Sequence, residues 1–189
     1  MQHNAALNRT LVPRAVLQAL NPISNSEVYI PLRIDEVPPS EAPMDLLLLA
    51  DPSENAIKEY LNQSRCFVAY ANDMVVGSCV LKPIAGGMVE LMNIAVSPSH
   101  QQSGIGTRLL KHVIDRVKES GAKGLEVGTG SFGYQLTFYQ RQGFRVDRID
   151  KNFFLKNYSE PIVEDGVQHK DMLRLTLEFC GDTSYQRTV

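Results

Sequence analysis

The sequence predicts a mixed α/β domain in which a mostly antiparallel central sheet is flanked by helices. Three observations carry this. Residues 66–70 and 74–81 are apolar runs on either side of Asn72-Asp73, the pattern of a strand hairpin. Ile105, Leu109, Val113 and Val117 recur every four residues with Leu110 and Ile114 beside them, the pattern of an amphipathic helix. Strand-like and helix-like segments then alternate to the end of the chain, which suits a strand meander joined to strand–helix–strand crossovers. A chain of 189 residues suits a single domain. We expect that domain at residues 27–180, between a loosely attached arm (residues 1–26) and a tail (residues 181–189).

In order, residues 12–20 form one short helical candidate within the arm. Residues 28–34 alternate like a strand, closed by Pro38-Pro39. Residues 43–50 and 54–61 read as short helices, with Asp51-Pro52-Ser53 as the start of the second. After the hairpin, Gly86-Gly87 turns into a strand over residues 88–96, ended by Ser97-Pro98. The helix of residues 105–119 stops at Ser120-Gly121. A buried strand (124–127), a helix (135–142) and a strand (144–149) follow. A loop of about twenty residues, rich in Asn, Pro and acids, leads to a last strand over residues 172–179.

Composition narrows the function. With 43% hydrophobic and 21% charged residues, the chain is neither disordered nor fibrous. A formal charge of −2 gives no basic surface for nucleic acid, so no nucleic-acid partner is expected. No apolar run approaches the ~20 residues of a membrane span, and no signal peptide is legible, so we expect a cytoplasmic protein with no membrane partner. Cys66, Cys79 and Cys180 are odd in number, far apart and set in apolar sequence, which suits buried free thiols. The four histidines have no metal-ligand spacing, so no metal is expected.

Two glycine-rich segments compete as ligand sites. Gln101-Gln102-Ser103-Gly104-Ile105-Gly106 lies between a strand and an amphipathic helix. Glycine lets backbone N–H groups approach an anion, and a helix N-terminus adds free N–H groups and about half a positive charge. Together these make a phosphate site. The second, Gly128-x-Gly130-x-x-Gly133, follows a strand and looks like the first motif of S-adenosylmethionine-dependent methyltransferases. Such folds need four or more further strands after that motif. Only 56 residues follow Gly133, so the simpler reading is a strand that ends where another group must come close.

The first segment belongs to a larger pattern. Asn93-Ile94-Ala95-Val96-Ser97-Pro98, then Gln101-x-x-Gly104-x-Gly106, then Phe138-Tyr139-x-x-x-Gly143-Phe144 resembles the GNAT superfamily of N-acetyltransferases, in its small bacterial type. The element order over about 150 residues matches as well. Segments Asp150-x-x-Phe153-Phe154-Leu155 and Asp171-Met172 also look like those of some small bacterial members.

The resemblance implies a GNAT-like fold and an acetyl-CoA-dependent N-acetyltransferase with no metal. Acetyl-CoA would bind between two splayed strands, here residues 88–96 and 124–127. Main-chain groups of Ile94, Ala95 and Val96 would hold the pantetheine arm. N–H groups of Gln102, Ser103, Gly104, Ile105, Gly106 and Thr107 would take the pyrophosphate, with Gln101 opening the turn. An amine would attack the thioester directly in a ternary complex, with an oxyanion at a backbone N–H near Ile94. Tyr139 matches the tyrosine that protonates the leaving thiolate. Glu90 sits at the offset of a general-base glutamate in some members. Read as sharing a strand face with Met92 and Ile94, it would be a lone carboxylate with a raised pKa. Two departures stand out. Gln102 and Ser103 replace the Arg or Lys common beside these glycines, and Phe132 stands where many members have Asn. That CoA contact would be missing or supplied by Ser131 or Gln135. Residues 100–124 carry five Lys or Arg against two acids, which suits the anion.

For the acceptor, residues 27–60 hold eight acids against two bases, a field that would concentrate a small cationic amine. Besides transfer, the sequence is compatible with a GNAT-like acyl-CoA sensor without turnover, which loss of the tyrosine would mark, and with the remote methyltransferase reading. The oligomeric state is not legible.

Overall fold

A computed structural model describes residues 31–179. The expected arm, the tail, the helix over residues 12–20, residues 28–30 and Cys180 lie outside the described residues. The elements are β1 (Leu32–Val37), α1 (Met44–Ala50), α2 (Glu54–Leu61), β2 (Arg65–Ala71), β3 (Met74–Pro83), β4 (Met88–Val96), α3 (Ile105–Glu119), β5 (Gly124–Gly130), α4 (Tyr134–Gln140), β6 (Arg145–Asp150), α5 (Phe153–Asn157), β7 (Val163–Glu164), β8 (Val167–Gln168) and β9 (Met172–Glu178).

Seven strands form one sheet in the order β1-β2-β3-β4-β5-β9-β6, and β7-β8 is a separate hairpin. Every neighbouring pair in the sheet is antiparallel except β4 and β5. The β2–β3 turn places Asn72 and Asp73 at φ 48° and 62°, the left-handed pair that a tight hairpin needs. Ser53 caps α2 by accepting the Ala56 N–H at 3.3 Å.

One irregularity sets the two faces of the sheet. Val80 pairs with Asn93 and Leu81 with Leu91, so Met92 is an extra residue on β4, a bulge. Residues on either side of it therefore change faces. Glu90 (opposite Lys82), Asn93 (opposite Val80) and Ala95 (opposite Ser78) share the face covered by α1 and α2. Leu91 and Ile94 (opposite Cys79) point to the face covered by α3 and α4. The α1/α2 side packs Leu47, Ile57, Tyr60, Leu61, Cys66 and Val80 together. The α3 side buries Ile105, Leu109, Leu110, Val113 and Val117 completely or nearly so, the stripe read in the sequence.

The segment expected to be a plain loop is more ordered than its composition suggests. It holds α5 and the β7-β8 hairpin. Asp171 accepts the Asn152 N–H at 2.7 Å, and the Phe154 N–H donates to the Lys170 carbonyl at 3.1 Å. The two ends of the segment thus hold each other.

Strand β5 runs to Gly130, three residues past its expected end. Its glycines admit neighbours. A Cβ on Gly124 would come within 2.7 Å of the Leu177 carbonyl oxygen and 2.9 Å of Met88 Cε, and one on Gly128 within 2.5 Å of Met172 Sδ. On Gly130 it would meet the His169 ring, and on Gly133 the Glu164 carboxylate. These close approaches, not a nucleotide, account for the GxGxxG spacing. The motif also sits on an interior strand between β4 and β9, far from the first-strand position a methyltransferase requires.

Gly124→Ala should therefore lower stability by roughly 1–3 kcal/mol, the usual size of overpacking against backbone, read as a lower urea midpoint. Gly106→Ala is the control. Its Cβ would meet Val96 Cγ2 at 3.5 Å, an ordinary contact, so the midpoint should hold.

Candidate active site

The glycine turn leaves a row of backbone N–H groups unpaired among the described residues. A short 3-10 turn, Pro98–His100, follows β4, and Gln101 Nε2 donates to the Val96 carbonyl at 3.1 Å, tying the turn to the strand. The Ser103 hydroxyl donates to the His100 carbonyl. Gln102 and Gly104 then take φ 59° and 80°, and Gly104 caps α3. The first helical bond runs from the Arg108 N–H to the Gly104 carbonyl. The N–H groups of Gln102, Ser103, Gly104, Ile105, Gly106 and Thr107 have no protein acceptor among the described residues. A Cβ on Gly104 would meet nothing within 4 Å, so the turn is open toward a ligand.

Next to this turn the sheet forks. The parallel pairing of β4 with β5 ends at Leu91 and Val127. Beyond it, Ile94, Ala95 and Val96 pair only with β3, leaving their β5-facing edge without a strand. Tyr139 of α4 reaches the α3/α4 face here. It is 6% exposed, edge-on to Phe138 and Phe144 with centroids 5.2 and 5.7 Å away. Burial pushes its phenol well above the usual tyrosine range, and the nearby Cys79 thiol adds to this. Cys79 pairs directly with Ile94, so the phenol lies beside the forked part of β4.

The other face carries charge. Glu90 accepts from Arg174 Nη1 at 2.5 Å, and Arg174 Nε donates to Asp150 at 2.7 Å. Arg148 grips Glu126 with two bonds of 2.9 and 2.8 Å and reaches Asp147 at 3.3 Å. Glu126 is 7% exposed. Cys66 and Cys79 are buried free thiols on the β2 and β3 strands. Among the described residues no helix is long and apolar enough to cross a membrane.

Residues 62–146 match a family model described as the acetyltransferase (GNAT) domain. The chain is 45% identical over 135 residues to the uncharacterized N-acetyltransferase YvbK of Bacillus subtilis, covering 71% of this chain and 87% of that one. A GNAT family acetyltransferase from Elizabethkingia anophelis, solved with acetyl-CoA bound, superposes with TM-score 0.75 at 43% identity, covering 78% of this chain and 98% of that one. A Bacillus subtilis acetyltransferase in complex with CoA gives TM-score 0.75 at 42% identity, covering 79% and 100%. This chain belongs to the GNAT acetyltransferase family. It is an acetyl-CoA-dependent N-acetyltransferase.

Within this GNAT domain the structure corrects one expectation. Glu90 does not share a face with Ile94, because the Met92 bulge intervenes, and it is not a lone carboxylate, because Arg174 holds it. The residue that engages it comes from β9, and no local pattern announces a partner 84 positions away. Of the two residues expected beside Phe132, Ser131 is exposed at the end of β5, while the Gln135 amide lies with Glu164 over Gly133.

Sequence reading also missed two polar groups near the fork. Asn93 Nδ2 donates to the Leu47 carbonyl at 3.0 Å and the Tyr60 hydroxyl at 3.2 Å. Burial pushes the Tyr60 and Tyr158 phenols up to about 12. Asp51, at the α1–α2 junction, is half-buried, which raises its pKa, while bonds from Ser53 and Tyr158 pull the other way. Tyr158 thereby links the α1–α2 corner to the segment after α5. The second group is His169, which donates or accepts at Glu164 across 3.0 Å. Asn93, a polar residue in an apolar run, was the available signal, whereas His169 sits among Gln168, Lys170 and Asp171 and offered none.

Arg174 joins three carboxylates across three strands, counting Glu126 at 3.7 Å. Removing it strips Glu90 of its ion pair and leaves Asp150 with only the 3.9 Å contact to Arg148, while Arg148 still holds Glu126. Arg174→Met should cost about 3 kcal/mol, read as a fall in Tm, with Arg174→Lys recovering part of it.

Proposed function

We propose that this enzyme transfers the acetyl group to a primary amine by direct attack within a ternary complex, and that its acceptor is a small cationic amine. The fork supports this reading: an unpaired β4 edge leads to a row of free N–H groups at the start of α3, with buried Tyr139 beside that part of β4. The residues fit the donor. Main-chain groups of Ile94, Ala95 and Val96 would bind its extended arm, and the N–H groups of residues 102–107 its pyrophosphate. Lacking Arg or Lys in the turn, that grip leans on backbone dipoles and on the α3 N-terminus.

Acetyl-CoA supplies an acyl group already activated as a thioester. The protein's task is then positioning and proton traffic. A β4 N–H near Ile94 stabilises charge on the carbonyl oxygen. Tyr139, kept protonated across the neutral range by burial, gives its proton to the departing sulfur. Its presence favours turnover over a silent sensor.

The acceptor class rests on charge at the α1/α2 face rather than on the whole acidic segment. Asp35 pairs with Arg33, Glu36 with Arg65 and Glu54 with Lys58, so those acids are locally balanced. Asp51 turns inward. Among the described residues, Glu90, Glu126, Asp147 and Asp150 meet Arg148 and Arg174, with Lys82 opposite Glu90, four carboxylates against three cations. That surplus favours a cation.

Gly104→Asp projects a carboxylate into open space at the cradle. It should weaken acetyl-CoA binding at least about tenfold, or 1.4 kcal/mol, by calorimetry, with the fold intact. Wild-type affinity would move the site elsewhere. Tyr139→Phe should cut turnover ~10²-fold with little change in that affinity. With acetyl-CoA saturating, the second-order rate constant for a polyamine should fall from low to physiological salt. An anionic best substrate would end the cationic assignment.

A further inference from the structure

An amine arrives protonated at neutral pH and must lose a proton before it can attack. With Glu90 held by Arg174, the structure points elsewhere for the group that takes it. Among the described residues, three buried side-chain atoms lack a hydrogen-bond partner: Ser78 Oγ, Asn93 Oδ1 and His169 Nδ1. Ser78 lies on β3, one strand away. The other two flank the fork on the same face. Asn93 is two residues beyond the last β4–β5 pair on one arm, and the His169 ring lies over Gly130, three residues beyond it on the other.

The chemistry of His169 is fixed by its neighbours. Its ring is 5% exposed and stacks on Phe132 at 4.1 Å and 6°. Phe154 packs against it with centroids 5.4 Å apart. Glu164 meets Nε2 at 3.0 Å. In the neutral ring, a bond donated from Nε2 to the Glu164 carboxylate leaves the Nδ1 lone pair free. The Nδ1–Cε1 edge occupies the place a side chain at Gly130 would fill, at the open arm of β5. A buried acceptor without a donor is costly, and a primary ammonium carries the N–H donors it lacks.

We propose that His169 Nδ1 is the proton acceptor for the amine, with Glu164 as its positioning residue; this rests on the acetyl-transfer reading above. The step balances. An N–H bond of the ammonium breaks and its proton bonds to Nδ1, giving an imidazolium that Glu164 steadies. The electron pair freed on nitrogen forms the new N–C bond to the acetyl group as the C–S bond breaks; Tyr139 gives its proton to the sulfur, and the second proton, shed by the acylated nitrogen, restores the phenol. The titratable group facing the ring is Glu164 of β7. Strand β5 presents Gly130, the turn before α4 presents Phe132, and α5 presents Phe154.

The test uses the full chain. His169→Asn keeps a small polar group but cannot take a proton. Its turnover with the best amine of a panel should fall ~10²-fold near neutral pH, with acetyl-CoA affinity unchanged. The deficit should narrow as pH rises toward the amine's own pKa of about 10, because the free amine then needs no base. A structural defect would persist at every pH. Glu164→Gln should lower turnover less, about tenfold. Nitrogen NMR of the ring in the donor-free protein gives an independent readout. It should show Nδ1 unprotonated, with its signal moving on addition of 1,4-diaminobutane. A protonated Nδ1, a signal indifferent to the diamine, wild-type turnover in His169→Asn, or a deficit constant with pH would each overturn the assignment. If Gly104→Asp retains wild-type acetyl-CoA affinity, the transfer reading fails instead. If that variant loses affinity while His169→Asn stays active, only the role of His169 fails.

Discussion

The parallel pairing of β4 with β5 stops at Leu91 and Val127, and the extra residue at Met92 is where β4 turns its faces over. A parallel pair in an otherwise antiparallel sheet needs a crossover, and α3 supplies it. The N-terminus of that crossover helix must therefore lie at the end of β4, where the pairing has already failed. Free N–H groups at a helix start and a free strand edge thus come to one place for a topological reason. Glycine at 104 and the side chain of Gln101 make the turn between them possible.

The bulge also separates the two kinds of chemistry. Past it, Ile94 joins Cys79 and Tyr139 on the α3/α4 face, among apolar groups. Asn93 joins Glu90 on the α1/α2 face, with Arg174, Asp150, Glu126 and Arg148. Without the extra residue, strict alternation would have set Glu90 beside Ile94, which is what the sequence pattern suggested. The carboxylates of that face are bound to guanidinium groups drawn from β6 and β9, which suits a structural task for at least Glu90 and Glu126.

Legibility followed the range of the forces involved. Helix α3, helix α2 and strand β4 were read to the residue because a periodic apolar stripe, a Ser cap and a Ser-Pro stop are local signals. Strand β1 runs three residues past its expected end at Ile34: the alternation has no partner constraint in sequence, whereas the observed register pairs Leu32 with Ala71 and Val37 with Cys66. Helix α5 was missed because five residues cannot show a period; it depends on Asp171 and Lys170 holding its start. The end of β5 was missed because Gly128 and Gly130 have poor strand propensity, and it is pairing with Arg174 and Met172 that keeps them extended. Of the site, the anion turn and Tyr139 were legible as motifs. The partners of Glu90, and His169 with Glu164, were not, since long-range pairing creates them.

Those same glycines explain why the last segment bears on function. A side chain at Gly130 or Gly133 would displace His169 or Glu164, so the strand gives up its own side chains to let the β7-β8 hairpin lie against it. Phe132, which stands where many family members have Asn, then stacks on His169 rather than facing a ligand. The departure at 132 and the glycines around it are therefore one arrangement. A flat aromatic and two bare backbone positions form the seat of a buried imidazole, whose other nitrogen is fixed by Glu164. Tyr139 approaches the fork from the opposite face, so the proposed proton donor and the proposed acceptor stand on the two sides of the sheet. An amine and a thioester meeting between β4 and β5 would then meet the two groups from opposite sides.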